Sequence, residues 1–177
     1  KIKISSVENL NKEHLKLYPS FSFKNVVINP KIKIGFDGLK IKVIKKEKNY
    51  IKCKVISSGF IESNKGVHFE SDIKLDPLTK KDLEAIKLAK SLGVKIFALS
   101  FANTASDVKL IRSLIGKKDE LISKIESKKG FLNRKEIIKS SDAILIDRGD
   151  LSRYINISKI PLAQRIIFND VKKNKVK

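Results

Sequence analysis

Ile122-Ser123-Lys124-Ile125-Glu126 and Ala143-Ile144-Leu145-Ile146-Asp147-Arg148-Gly149-Asp150 are two short apolar runs that each finish in charged residues. Read as strands, the first puts Lys124 and Glu126 on one face while Ile125 turns to the other, because side chains alternate along a strand. The second, a strand over Ala143 to Ile146, carries Asp150 just past its own end. A helical pattern over Arg134 to Lys139 separates the two, and another over Ala105 to Ile115 precedes them after an expected buried strand, Val94 to Ser100. Strand, helix, strand, helix in this order predicts a parallel sheet with right-handed crossovers, whose ligands gather at the carboxyl ends of the strands.

Outward from this centre, Thr79 is a good N-cap for a helix ending near Gly93, with Leu83, Ile86, Leu88 and Ala89 expected on its apolar face. Ile160 to Val171 reads as a final helix. Three parallel strands cannot close a barrel, which takes about 250 residues, so the pattern describes an open α/β sheet or part of a (β/α)8 barrel. Residues 1 to 73 follow another grammar. Lys1 to Ile4, Lys31 to Ile34, Leu39 to Val43 and Tyr50 to Ile56 alternate polar and apolar residues, and Asp37-Gly38 and Ser58-Gly59 are turn formers at hairpin positions. A small antiparallel β-barrel or sandwich is expected there.

The chain has 177 residues, 41% hydrophobic, and a formal charge of +20. That charge raises nucleic acid as a partner, since clustered lysines bind phosphates by releasing counterions. The lysines run from Lys1 to Lys177 without a visible stripe, and the abundant Asn and Ile suggest a compositional bias, so only weak, steeply salt-dependent, non-specific binding is expected. No aromatic stacking platform or helix-in-groove motif supports more. The single cysteine, Cys53, has no partner for a disulfide or a zinc site and fits a reducing cytoplasm. The longest apolar runs, such as Ile96 to Leu99, fall well short of the ~18 residues of a membrane span.

Glu126 and Asp150 at neighbouring strand ends are hard oxygen ligands suited to Mg²⁺ or Mn²⁺. Lys124 would neutralise a phosphate beside such an ion. Gly149 lets the backbone approach a ligand, and the N–H groups of the turn that follows can receive a carboxylate or phosphate. These are parts for phosphoryl transfer or for handling an enolate. On spacing alone a plainer reading stands level with this one: a surface pair between Lys124 and Glu126, and a helix-capping Asp150.

Motif order decides between them. Phe36-Asp37-Gly38-Leu39, Lys65-Gly66-Val67, Leu75 to Asp82, Ser100-Phe101 followed by Ala105-Ser106-Asp107-Val108, Ser123-Lys124-Ile125-Glu126, Ser141-Asp142, Arg148-Gly149-Asp150-Leu151 and Leu162-Ala163-Gln164 resemble successive landmarks of the pyruvate kinase family. The resemblance implies a partial (β/α)8 TIM barrel with an inserted small β-barrel lid domain, the lid being residues 1–73 and the barrel part, strands four to six, residues 74–177. It implies phosphoryl transfer from phosphoenolpyruvate to ADP, giving pyruvate and ATP in glycolysis. Lys124 then contacts the transferring phosphoryl group, Glu126 and Asp150 bind Mg²⁺ or Mn²⁺, Gly149 and Asp150 hold phosphoenolpyruvate through their backbone, and Lys65 reaches the nucleotide.

The same resemblance implies a cytoplasmic homo-oligomer, a homotetramer, that needs K⁺ held by residues outside this chain. With N-terminal and C-terminal parts of the family pattern missing, the chain is expected to be an inactive piece of a longer enzyme. The chain departs from the family pattern at Phe36, near Asn103, at Ser127, where an Asn is usual, at Asp147, where a small apolar residue is usual, at Ser152 in place of a glycine, and at His68 in place of an Asn. Two alternatives fit the same parts: a metal-dependent aldolase or lyase of the phosphoenolpyruvate/pyruvate group, and a diverged non-catalytic relative. The strand-rich segment 1–73 favours the kinase family over the lyases, which lack such a lid.

Overall fold

The computed structural model describes residues 2–5, 14–35, 39–70 and 73–177. The chain divides into two compact units, Lys1–Asp76 and Pro77–Lys177.

In the first unit, strands β1 (Ile2–Ser5), β2 (His14–Lys16), β3 (Lys31–Ile34), β4 (Leu39–Lys46), β5 (Tyr50–Ser57) and β6 (Val67–Phe69) form one sheet in the order β2-β1-β5-β4-β3-β6. Alternation builds its core. Ile32 lies opposite Ile41, Ile34 opposite Leu39, Val43 opposite Cys53 and Ile4 opposite Ile51, and all eight are buried, with Phe23 and Val26 packed among them. The sheet is mixed, not purely antiparallel, because β1 and β2 run parallel.

Ser58-Gly59 makes no hairpin. The chain turns between β4 and β5 instead, where Glu47 N–H donates to the Tyr50 carbonyl at 2.9 Å, and β6 joins the far side of the sheet beside β3. Gly59 serves close packing: a Cβ there would sit 2.7 Å from that of Leu39. The other expected turn, Asp37-Gly38, lies outside the described residues, as does Phe36.

The same alternation that buries the isoleucines sets lysines against lysines on the opposite face. Lys3 faces Lys52, Lys52 faces Lys45, Lys54 faces Lys42, Lys42 faces Lys31, and Lys33 faces Lys40. The expectation of lysines without a stripe is therefore corrected for this unit. Residues far apart in sequence become cross-strand neighbours only once the register is known.

The second unit is α/β. Strands β7 (Ile96–Leu99), β8 (Glu120–Ile125) and β9 (Ala143–Ile146) are parallel, with β8 in the middle. Helices α1 (Lys80–Ser91), α2 (Ala105–Ile115), α3 (Lys128–Leu132), α4 (Arg134–Lys139), α5 (Arg148–Leu151) and α6 (Ile160–Asn174) connect and flank them. Thr79 with Asp82, and Thr104 with Asp107, form reciprocal capping boxes that start α1 and α2. Leu99, Val108, Ile111, Ile115, Leu121 and Ile137 make the core between sheet and helices.

Two expectations change. Of the apolar face assigned to α1, only Ile86 and Ala89 are half-buried, whereas Leu83 and Leu88 are exposed. The strand expected to be buried, Val94 to Ser100, is the edge strand β7, where Ile96 is 58% exposed and only Leu99 is buried, because among the described residues no strand pairs beyond it. Among the described residues, no helix is long and apolar enough to cross a membrane.

At the amino end of β8, Asp142 accepts from Leu121 N–H at 2.7 Å and from the Arg112 guanidinium, while Arg112 Nη1 donates to the Asp119 carbonyl at 2.5 Å. That end is knitted together by structural bonds. The opposite end carries Lys124, Glu126 and Asp150, the charged residues singled out from the sequence.

Candidate active site at the carboxyl end of the parallel sheet

Strand parity brings Lys124 and Glu126 out on one side of β8, and the structure joins them: Lys124 Nζ lies 2.7 Å from Glu126 Oε1. Glu126 is 1% exposed although it is a carboxylate, so its charge must be matched locally. Its second oxygen, Oε2, accepts from the backbone N–H of Phe101 at 2.6 Å. Phe101 adopts φ 50°, a left-handed conformation uncommon for a side-chain-bearing residue, just where the chain leaves β7. The next residue, Ala102, donates its N–H to the Lys124 carbonyl at 3.1 Å. The β7 exit thus wraps over the end of β8, holding the Glu126 carboxylate through the Phe101 N–H and the strand itself through the Ala102 N–H.

From the neighbouring strand, β9 delivers Asp147 at its end, and α5 starts immediately after. Asp147 is the N-cap of that turn: its Oδ1 accepts from Asp150 N–H at 3.2 Å. Its Oδ2 lies 3.6 Å from Lys124 Nζ. Asp150 in turn has Oδ1 3.3 Å from Arg153 Nε. Ser152 donates its hydroxyl to the Gly149 carbonyl at 2.6 Å, which tightens the turn around Gly149. Glu126, Asp147 and Asp150 each present a carboxylate oxygen, and these oxygens lie within 4.8 Å of one another.

Electrostatics follow from this crowding. The hydrogen bond to Glu126 raises the Lys124 ammonium above its ordinary pKa, against the desolvation that partial burial imposes. The Asp150 N–H holds the Asp147 carboxyl below its usual value, and the Lys124 charge acts in the same direction. Lys124 Nζ also lies 3.5 Å from Ser100 Oγ, at the end of β7. One cation therefore bridges the ends of all three strands. Three carboxylate oxygens within 4.8 Å of one another, those of Glu126 and Asp147 also beside the Lys124 ammonium, are a donor set that a small divalent ion fits, since Mg²⁺ and Mn²⁺ favour carboxylate and water oxygens.

Of the residues named from sequence, Lys124, Glu126, Gly149 and Asp150 meet at this one end of the sheet. Lys65 belongs to the other unit, where its Nζ pairs with Glu62 Oε2 at 2.8 Å. The plainer reading of Asp150 as a helix cap does not describe the turn, because Asp147 is the cap. Sequence reasoning noted Asp147 only as a departure and missed its place in the cluster. The signal was present, in an acid three residues ahead of a second acid at a strand end, the spacing of a capping pair. Two other departures turn out to be partners: Ser127 Oγ donates to Asn103 Oδ1 at 2.5 Å while accepting from Gly130 N–H at 2.9 Å to start α3.

Comparison with known proteins agrees with the motif order. A family model described as the barrel domain of pyruvate kinase matches residues 2–176. The pyruvate kinase of Encephalitozoon cuniculi is 33% identical over 156 residues, covering 88% of this chain and 36% of that protein. The pyruvate kinase of Dictyostelium discoideum is 33% identical over 169 residues, covering 90% of this chain and 33% of that protein. That of Clostridium perfringens is 37% identical over 137 residues, covering 74% and 29% respectively. The chain thus spans about a third of the length of the relatives it matches.

Proposed function

Because the chain belongs to the pyruvate kinase family, we propose that the full-length protein transfers the phosphoryl group of phosphoenolpyruvate to ADP, giving pyruvate and ATP. The observation that carries this reading is the convergence of Lys124, Glu126 and Asp150 at the carboxyl ends of adjacent parallel strands, with Lys124 Nζ 2.7 Å from Glu126. In this reading residues 1–73 are the β-barrel lid domain inserted into a TIM barrel, and residues 74–177 supply part of that barrel. Lys65 belongs to the nucleotide side, and K⁺ is held by residues outside this chain. The enzyme works in the cytoplasm as a homo-oligomer, and nucleic acid is not a specific partner.

Glu126 and Asp150 would hold Mg²⁺ or Mn²⁺, which supplies positive charge to the substrate's carboxylate and enolate oxygens when bound. The residues do the rest. Glu126, pinned by Phe101 N–H, keeps Lys124 charged and aimed along the strand end. As the phosphorus–oxygen bond to the enolate breaks and the bond to ADP forms, negative charge spreads over the equatorial phosphoryl oxygens, and the Lys124 ammonium is placed to stabilise it. The electron pair stays on the departing enolate oxygen, and enolpyruvate then takes a proton at carbon.

Coupled pyruvate formation with ADP by the full-length protein tests this. Lys124→Ala should lower kcat by roughly 10² or more, as losing one preorganised electrostatic donor does. Phosphoenolpyruvate and ADP giving no pyruvate with the unsubstituted full-length protein would refute the reading and favour a diverged, non-kinase role.

A further inference from the structure

Asp147, the cap of α5, brings a third carboxylate to the pocket beside Glu126 and Asp150. Its two oxygens are occupied in a telling way. Oδ1 takes the Asp150 N–H at 3.2 Å, and Oδ2 sits 3.6 Å from the Lys124 ammonium. Under the proposed function, the backbone at Gly149 and Asp150 and the Lys124 side chain are the groups that receive the anionic ends of phosphoenolpyruvate. A side-chain carboxylate of this chain already stands on both.

We propose that Asp147 is a specificity-determining residue that competes with the substrate: its carboxylate imitates the substrate's own and must leave the Asp150 N–H and Lys124 before phosphoenolpyruvate seats fully. This rests on the proposed site. The physical argument is one of sharing. One N–H cannot serve two carboxylates at full strength, and two anions held against one ammonium repel each other. Asp147 can yield because its side chain is 34% exposed, so rotation toward solvent restores its hydration. Glu126 cannot yield in this way, being 1% exposed and pinned by Phe101.

Selectivity follows from the same displacement. A ligand with a carboxylate and a phosphate recovers through Lys124 what it spends in moving Asp147. A small carboxylate without the phosphate does not, so Asp147 biases the pocket toward doubly anionic substrates.

The test is calorimetric titration of phosphoenolpyruvate into the full-length protein at saturating Mg²⁺, comparing the unsubstituted protein with Asp147→Asn, Asp147→Ala and Lys124→Ala. Asn keeps an acceptor for the Asp150 N–H and is as good an N-cap as Asp, so Asp147→Asn removes the charge while the fold stays supported. Removing the charge should tighten phosphoenolpyruvate binding about threefold or more, the scale of a partly exposed charge interaction, and Asp147→Ala should tighten it at least as much. If Asp147→Ala melts early, Asp147→Asn alone carries the comparison. Affinity unchanged or weaker in the Asp147→Asn protein, while Lys124→Ala weakens binding, would overturn the competition and leave Asp147 a cap only. Affinity unaffected by Lys124→Ala would instead overturn the site reading on which the proposal stands.

Discussion

Cys53 shows how one residue reports on the packing around it. It sits opposite Val43 and Ile2 in the core of the six-stranded sheet, and burial pushes its thiol up to about 11. The thiolate is the reactive form, so Cys53 should resist a thiol-specific reagent at neutral pH in the folded protein and react quickly once urea unfolds it. Fast labelling without denaturant would contradict the burial. The sign of the linkage follows: a thiol whose folded pKa lies above its unfolded one, near 8.5, stabilises the fold fully below that unfolded value, and the contribution is lost as pH climbs toward about 11. Much of the candidate site was legible at this scale, because Lys124 and Glu126 differ by two positions and parity alone puts them together. Asp147 was not. Its role depends on where α5 begins, and a four-residue helix gives no periodic signal.

At the scale of elements, the strand and helix limits predicted for Ala105–Ile115, Arg134–Lys139 and Ala143–Ile146 match the observed ones, since each has a strong apolar period and a clear boundary. The five-residue α3 passed unnoticed because a glycine sits inside it. That glycine is required: a Cβ on Gly130 would stand 2.5 Å from the Ala102 carbonyl. Cross-strand register was the other hidden quantity, and it carries an energetic consequence. Lys42 is flanked by Lys31 on β3 and Lys54 on β5, two like-charge pairs that oppose sheet formation. Lys42→Glu should therefore stabilise the protein against urea by about 0.5–1 kcal/mol at low ionic strength. The gain should shrink near 1 M salt, where the Debye length falls to ~3 Å. A loss of stability at low salt would show that the lysine face is not under electrostatic strain.

Across the whole molecule, the change of grammar after residue 73 lies close to the boundary between the two compact units, Lys1–Asp76 and Pro77–Lys177, since a period of two and a strand-helix alternation cannot share one layer. Family membership came from the order of many short motifs, none of them decisive alone. The exposure of β7 could not be foreseen, because whether an apolar strand is central or at an edge depends on pairing that a sequence does not state. Under the proposed function, Glu126 and Asp150 are the metal ligands of a phosphoenolpyruvate site. The direct measurement is Mn²⁺ titration by water proton relaxation, with and without phosphoenolpyruvate, on the full-length protein and its Glu126→Ala and Asp150→Ala variants. Each substitution should weaken Mn²⁺ binding and the enhancement of that binding by phosphoenolpyruvate, because a hard cation loses one of few protein oxygens. Mn²⁺ binding unchanged in both variants would contradict the assignment.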